Sequence, residues 1–158
     1  MKAKQTNPIP LGYHTVTPYL ACRNAADAIE FYKRAFGAAE VMRMPGPDGK
    51  IGHAEVKIGD SRVMLADEHP QIDFVGPASR GGSTVHLHLY VEDVDAFAER
   101  AVKAGGKLLR KVEDQFYGDR LGTVEDPFGH VWHLATHKED LTDDEMRKRA
   151  AQAMKAKA

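Results

Sequence analysis

The sequence predicts an α+β chain in which two tandem strand–helix–three-strand (βαβββ) modules form a curved mixed sheet with a cleft, followed by a C-terminal helix. Three observations predict it. Two segments carry the one-sided apolar spacing of amphipathic helices, their boundaries keep one fixed offset, and three short extended runs follow each of them.

The first helix is read from "NAADAIEFYKRAFG". Asn24 caps it, Ala25, Ala28, Ile29, Tyr32 and Phe36 share one face, and Gly37 stops it. The second is read from "DVDAFAERAVKAGG". Asp93 is its cap, Val94, Phe97, Ala98, Ala101 and Val102 form the face, and Gly106 is the stop. The caps are 93 − 24 = 69 residues apart and the stops 106 − 37 = 69, which marks an internal duplication. A strand precedes each helix, "TVTPYLAC" in one half and "VHLHLYVE" in the other. After the first helix come "EVMRM", "IGHAEVKI" and "SRVMLA"; after the second come "KLLRKVE", "LGTVED" and "HVWHLAT". The turns "PGPDGK", "GDS", "DQFYGDR" and "PFG" separate them. Residues 1–140 therefore read as one domain of two modules, about 13–66 and 84–137, joined by the Pro-, Gly- and Ser-rich linker 67–83. Residues 141–158 read as a helical tail, opened by a Thr142–Glu145 capping box, with Met146 and Ala150 available for packing.

Period-two alternation sorts the strand residues by face. Leu87, Leu89 and Val91 face their helix, leaving His86, His88 and Tyr90 opposite. Val16, Pro18 and Leu20 likewise leave Thr15, Thr17 and Tyr19, and Ala54, Val56 and Ile58 leave His53, Glu55 and Lys57. In "EDPFGHVWHLATH", Trp132 and Leu134 point inward and His133 points the other way. His130 and His137, in the turn and at the strand end, read as solvent-facing or capping groups, and Cys22 as a small buried residue. One face of each sheet is thus apolar, and the other collects imidazoles, phenols and a carboxylate. His86 and His133 suit hydrogen bonding or proton transfer, since an unperturbed imidazole titrates near neutral pH. Tyr19 and Tyr90 offer flat surfaces with a polar tip for stacking on an aromatic ligand, with His88 as a wall residue.

Composition removes several classes. With 22 Lys+Arg against 23 Asp+Glu, no overall positive charge favours nucleic acid. A single cysteine excludes an intrachain disulfide. No stretch has signal-peptide or membrane-spanning character, so a cytoplasmic protein without a membrane partner is expected.

The stretches "TPYLACRNAADAIEFYKRAFGAAE", "IGHAEVKIGDSRVMLADE" and "FYGDRLGTVEDPFGHVWHLATHKEDLT" resemble the vicinal oxygen chelate superfamily, in particular its PhnB-like, glyoxalase/bleomycin-resistance group. That superfamily includes glyoxalase I, extradiol dioxygenases and bleomycin-binding proteins. The resemblance implies metal-ligand positions at Thr17, Met64, His86 and His133, of which only the last two carry good ligands. His53 and Glu55 face the same way on a neighbouring strand and are candidates to join them. A divalent zinc, nickel or iron ion is the cofactor this pattern allows, and a metal-free site is the alternative. The resemblance also places Arg120, in "FYGDR", where relatives close the cleft. There its planar fork can clamp a carboxylate or phosphate, or else form a structural ion pair. Two functions follow. One is a small-molecule-binding protein taking an aromatic or polar organic ligand, the other a metal-dependent lyase, isomerase or dioxygenase resembling glyoxalase I. In either case the resemblance implies a homodimer. A ubiquinone-type methyltransferase, a label found on similar sequences, lacks a glycine-rich strand–loop–helix signature here.

Overall fold

The computed structural model describes residues 6–156. They divide into two compact units between Arg80 and Gly81, and each unit is one βαβββ module. In the first, β1 (Tyr19–Cys22) leads into α1 (Ala25–Phe36), then β2 (Ala39–Pro45), β3 (Ile51–Ile58) and β4 (Ser61–Asp67). Its sheet has the order β1-β4-β3-β2, with β1 parallel to β4 and the other pairs antiparallel. A 3-10 turn (Pro70–Ile72) and the single helical turn α2 (Pro77–Arg80) follow. The second unit repeats the plan: β5 (His86–Tyr90), α3 (Val94–Lys103), β6 (Lys107–Asp114), β7 (Asp119–Glu125) and β8 (Val131–His137). The strand order β5-β8-β7-β6 reproduces that of the first sheet. The tail helix α4 (Asp143–Lys155) comes last.

The helices form where capping chemistry and apolar spacing agree. The Asn24 side chain accepts from the Asp27 N–H, and Gly37 ends α1 in the left-handed region at φ 64°. Asp93 caps α3 in the same way, accepting from the Ala96 N–H. In α1, Ile29, Phe31, Tyr32 and Phe36 are buried, and the Tyr32 and Phe36 rings stack at 5.7 Å. The core of that unit continues through Val56 and Leu65. Asp67 closes it by accepting from the backbone N–H of Ala25 at 3.0 Å and of Ile51 at 2.6 Å, joining the helix start to a strand start. In the second unit Val94, Ala98 and Ala101 pack with Val124, Trp132 and Leu134, all buried. The capping box of α4 forms between Thr142 and Glu145. Met146 and Ala150 are half-buried, and no residue of that helix is fully buried. Among the described residues, no helix is long and apolar enough to cross a membrane.

Three local expectations are corrected. Pro18 has no N–H to donate, so the ladder opens with its carbonyl, which accepts from Met64 N–H at 2.9 Å. The first strand accordingly begins at Tyr19, and Val16 is 82% exposed instead of facing a helix. The second helix ends at Lys103, before Gly106. Gly106 is required for a different reason: a Cβ there would lie 2.7 Å from Val124 Cγ1 and 2.9 Å from the Ala101 carbonyl. His130 is buried, because the Asp126 carboxylate draws in the turn by accepting the backbone N–H groups of Phe128 and His130. The linker carries hydrogen bonds of its own. Glu68 accepts from the Gly76 N–H and the Ser79 hydroxyl, pinning α2 back to the end of β4.

Candidate functional site

Strand register brings the predicted residues together in a row within each unit, because side chains of in-register partners share one face. In the second unit, His88 on β5 lies opposite His133 on β8, which lies opposite Thr123 on β7, which lies opposite Arg110 on β6. In the first unit the equivalent row is Tyr19 on β1, Met64 on β4, Glu55 on β3 and Met42 on β2. The offset of 69 seen in the sequence thus reappears as Tyr19/His88 and Met64/His133.

On the second face, His133 is the centre. Its Nδ1 lies 2.9 Å from Thr123 Oγ1 and its Nε2 lies 3.0 Å from His86 Nδ1. The His86 ring is 5.0 Å from that of His133, and the His88 ring is 6.0 Å from it. Burial pushes the His133 imidazole below its usual range, and the neighbouring His86, His88 and Arg110 add to this. His133 is therefore neutral at pH 7. Two proton arrangements satisfy this chain equally. Either Thr123 donates to His133, whose Nε2–H donates to His86, or His86 donates to His133, whose Nδ1–H donates to Thr123. In the first arrangement His86 presents an Nε2–H outward, and in the second it presents a lone pair. The exposed imidazole at the end of the chain can give a proton or take one.

Tyr90 continues the face beside His88, with ring centroids 4.7 Å apart. Its phenol is 64% exposed as a residue, yet the hydroxyl donates to Asp119 Oδ2 at 2.9 Å. That hydrogen bond, with burial behind it, holds the Tyr90 phenol above its usual range. Asp119 also holds His137 Nδ1 at 2.7 Å, while His137 Nε2 reaches Asp140 at 2.8 Å. Hydrogen bonds to Asp140 and Asp119 raise the His137 pKa, and this residue links the strand end to the tail.

Arg120 lies within β7 and not in the preceding loop. Its guanidinium is engaged by both carboxylate oxygens of Asp95, at 2.7 and 2.8 Å, and by Asp114 at 3.1 Å. A ligand anion would have to displace these partners.

On the first face, Glu55 is 8% exposed and accepts from three donors. These are the Tyr13 hydroxyl, Arg62 Nη1 at 3.2 Å and His53 Nε2 at 3.2 Å. Burial pushes the Glu55 carboxyl up, but the hydrogen bonds from Tyr13 and His53 and the nearby charges outweigh it, and the pKa falls below its ordinary value. His53 Nδ1 lies 2.9 Å from the Tyr19 hydroxyl. Tyr19 also packs against Phe74, with ring centroids 5.1 Å apart.

Thr17, at the family's metal position, is half-buried and outside any strand, and Met64 is half-buried on β4. In the first unit Thr17 and Met64 offer a neutral hydroxyl and a soft thioether; in the second His86 and His133 offer two imidazoles, which turn their facing nitrogens on each other. Among the described residues no three His, Cys, Asp or Glu side chains gather as a cation site. Two imidazoles fall short of the three protein ligands of a catalytic metal centre, so the residues present do not fit one.

Sequence reasoning missed Thr123, Tyr13, Arg62 and Phe74, and it offered Asp119 as an ion-pair partner of Arg120, whereas Asp119 holds Tyr90 and His137. Thr123 was accessible by counting back across the "PFG" turn from His133, which sets the antiparallel register. Tyr13 and Phe74 lie outside the strands, where alternation carries no signal.

Two βαβββ units, each with an apolar helix-covered face and an opposite face of imidazoles and phenols, define the class. The chain belongs to the Glyoxalase/Bleomycin resistance protein/Dioxygenase superfamily, whose family model matches residues 13–134. An uncharacterized protein of Mycobacterium bovis is 45% identical over 135 residues, covering 84% of this chain and 89% of that one. A glyoxalase-related enzyme from Fulvimarina pelagi is similar in structure at 26% identity, with a TM-score of 0.63, covering 78% of this chain and 87% of that one. The PhnB protein from Bacillus cereus shares the fold at 18% identity, with a TM-score of 0.61 and coverage of 78% and 99%.

Proposed function

We propose that this protein binds a small aromatic or polar organic molecule, and that the His86–His88–Tyr90–His133 face is where it does so. One observation carries the reading. The exposed His86 sits at the end of a chain, Thr123–His133–His86, that accommodates either proton arrangement without leaving a buried group unpaired. Such an end group adapts to a ligand donor or acceptor, while the His88 and Tyr90 rings beside it supply flat surface for stacking. Family membership supports small-molecule binding, and the Fulvimarina pelagi relative is described as a glyoxalase-related enzyme. The donor set at Thr17 and Met64 favours binding or metal-free proton transfer over the metal-dependent lyase, isomerase or dioxygenase reading.

The test is isothermal calorimetry of wild-type protein and the His86→Ala/His133→Ala variant against a panel of planar aromatic compounds with and without polar substituents. Saturable binding by wild type, lost in the variant while it remains folded, is the expected result. Equal binding by both proteins, or none by wild type, removes the assignment.

A further inference from the structure

The first unit carries a proton chain that, unlike the one in the second unit, is anchored at one end. Glu55 accepts from Tyr13, Arg62 and His53, so it is a carboxylate with no proton of its own to give. The hydrogen on the His53–Glu55 contact must therefore sit on His53 Nε2. A neutral imidazole with its proton on Nε2 has a bare lone pair on Nδ1, and that nitrogen can only accept. With the imidazole neutral, as in the measurement below, Tyr19 donates its single hydroxyl hydrogen to His53 Nδ1, across 2.9 Å. Its oxygen is left with lone pairs alone for anything that approaches from outside.

Tyr19 is 46% exposed, so an approach is open. Its ring packs edge-on against His53 at 5.3 Å and tilted against Phe74 at 5.1 Å, giving an aromatic ledge beside the phenolic oxygen. We propose that Tyr19 and Phe74 form a ligand subsite in the first unit that selects neutral aromatic molecules bearing an O–H or N–H donor, recognised by the Tyr19 oxygen as an obligatory acceptor. The relay of His53 and Glu55 behind it fixes this polarity. A ligand presenting only acceptors meets lone pairs there and is disfavoured. Tyr19, Phe74, His53 and Glu55 all lie in the first unit.

Phenol and anisole are the probes, since they differ in having or lacking the donor on a similar ring. Binding of each to the full chain is followed by NMR shifts, and the His53 ring nitrogens are read by 15N spectra at about pH 8, where a free imidazole is neutral. Phenol is expected to bind about two- to tenfold more tightly than anisole, the net worth of one hydrogen bond. The two affinities become equal in Tyr19→Phe, and His53 shows the Nε2–H form. Equal affinities in wild type, no saturable binding of phenol, or a proton on His53 Nδ1 overturns the proposal. Loss of the discrimination in His86→Ala but not in Tyr19→Phe also overturns it, and leaves the reading of the second face standing.

Discussion

Replacing Asp126 should loosen the strand that carries His133, and the size of the effect follows from three contacts. The carboxylate accepts from the backbone N–H groups of Phe128 and His130 and from Trp132 Nε1, each at 2.9 Å. Asp126, His130 and Trp132 are all buried. In Asp126→Ala the indole N–H and the His130 N–H lose a partner without gaining water. Each orphaned buried donor costs about 1–3 kcal/mol, so the pair costs about 2–6 kcal/mol. For a chain of this size each kcal/mol moves the melting temperature by about 2–4 °C, giving a fall of about 4–24 °C. Asp126→Asn keeps an oxygen for the two backbone donors and meets the indole with an N–H, so it should cost about 1–3 kcal/mol. Urea unfolding followed by near-ultraviolet circular dichroism of the single tryptophan reads both changes. An Asn variant as unstable as the Ala variant, or an Ala variant within about 1 kcal/mol of wild type, would refute the reasoning.

Other outcomes follow from the same geometry. His133 is depressed in the folded state, so its contribution is full above the unfolded imidazole pKa near 6.5 and is lost as pH falls below that value. His137 is raised, so its contribution is full below about 6.5 and is lost as pH rises through the folded pKa. Melting curves between about pH 5 and 8 should show His137→Ala losing most at the acid end and His133→Ala losing least there; parallel curves would contradict both signs. Arg120→Ala unties α3 from β6 and β7 and should lower the melting temperature modestly, while affinity for a neutral aromatic probe in calorimetry stays unchanged. Sedimentation at micromolar concentration should give a homodimer, and a monomer would contradict that expectation.

Much of the architecture was legible because duplication doubles every signal. Asn24 and Asp93 cap both helices as the 69-residue offset requires, and alternation in "VHLHLYV" and "HVWHLAT" put His86, His88 and His133 on one face. What escaped depended on side-chain contacts that neither strand alternation nor helix spacing encodes. Arg120 sits 25 residues from Asp95, and no local pattern announces that pairing. The burial of His130 depends on Asp126 reaching across a four-residue turn. Gly106 read as a helix stop, yet its role is to let Val124 approach. Glu55 read as a site candidate on an open face, with no sign that it is buried. Its burial comes from Tyr13, which lies before the first strand, and from Arg62 on β4.

Native mass spectrometry of freshly purified protein tests the central claim most directly. A small organic mass carried by wild type, released on denaturation and missing from His86→Ala/His133→Ala, is the predicted result. Stoichiometric nickel, zinc or iron that survives purification and disappears in His86→Ala would contradict it.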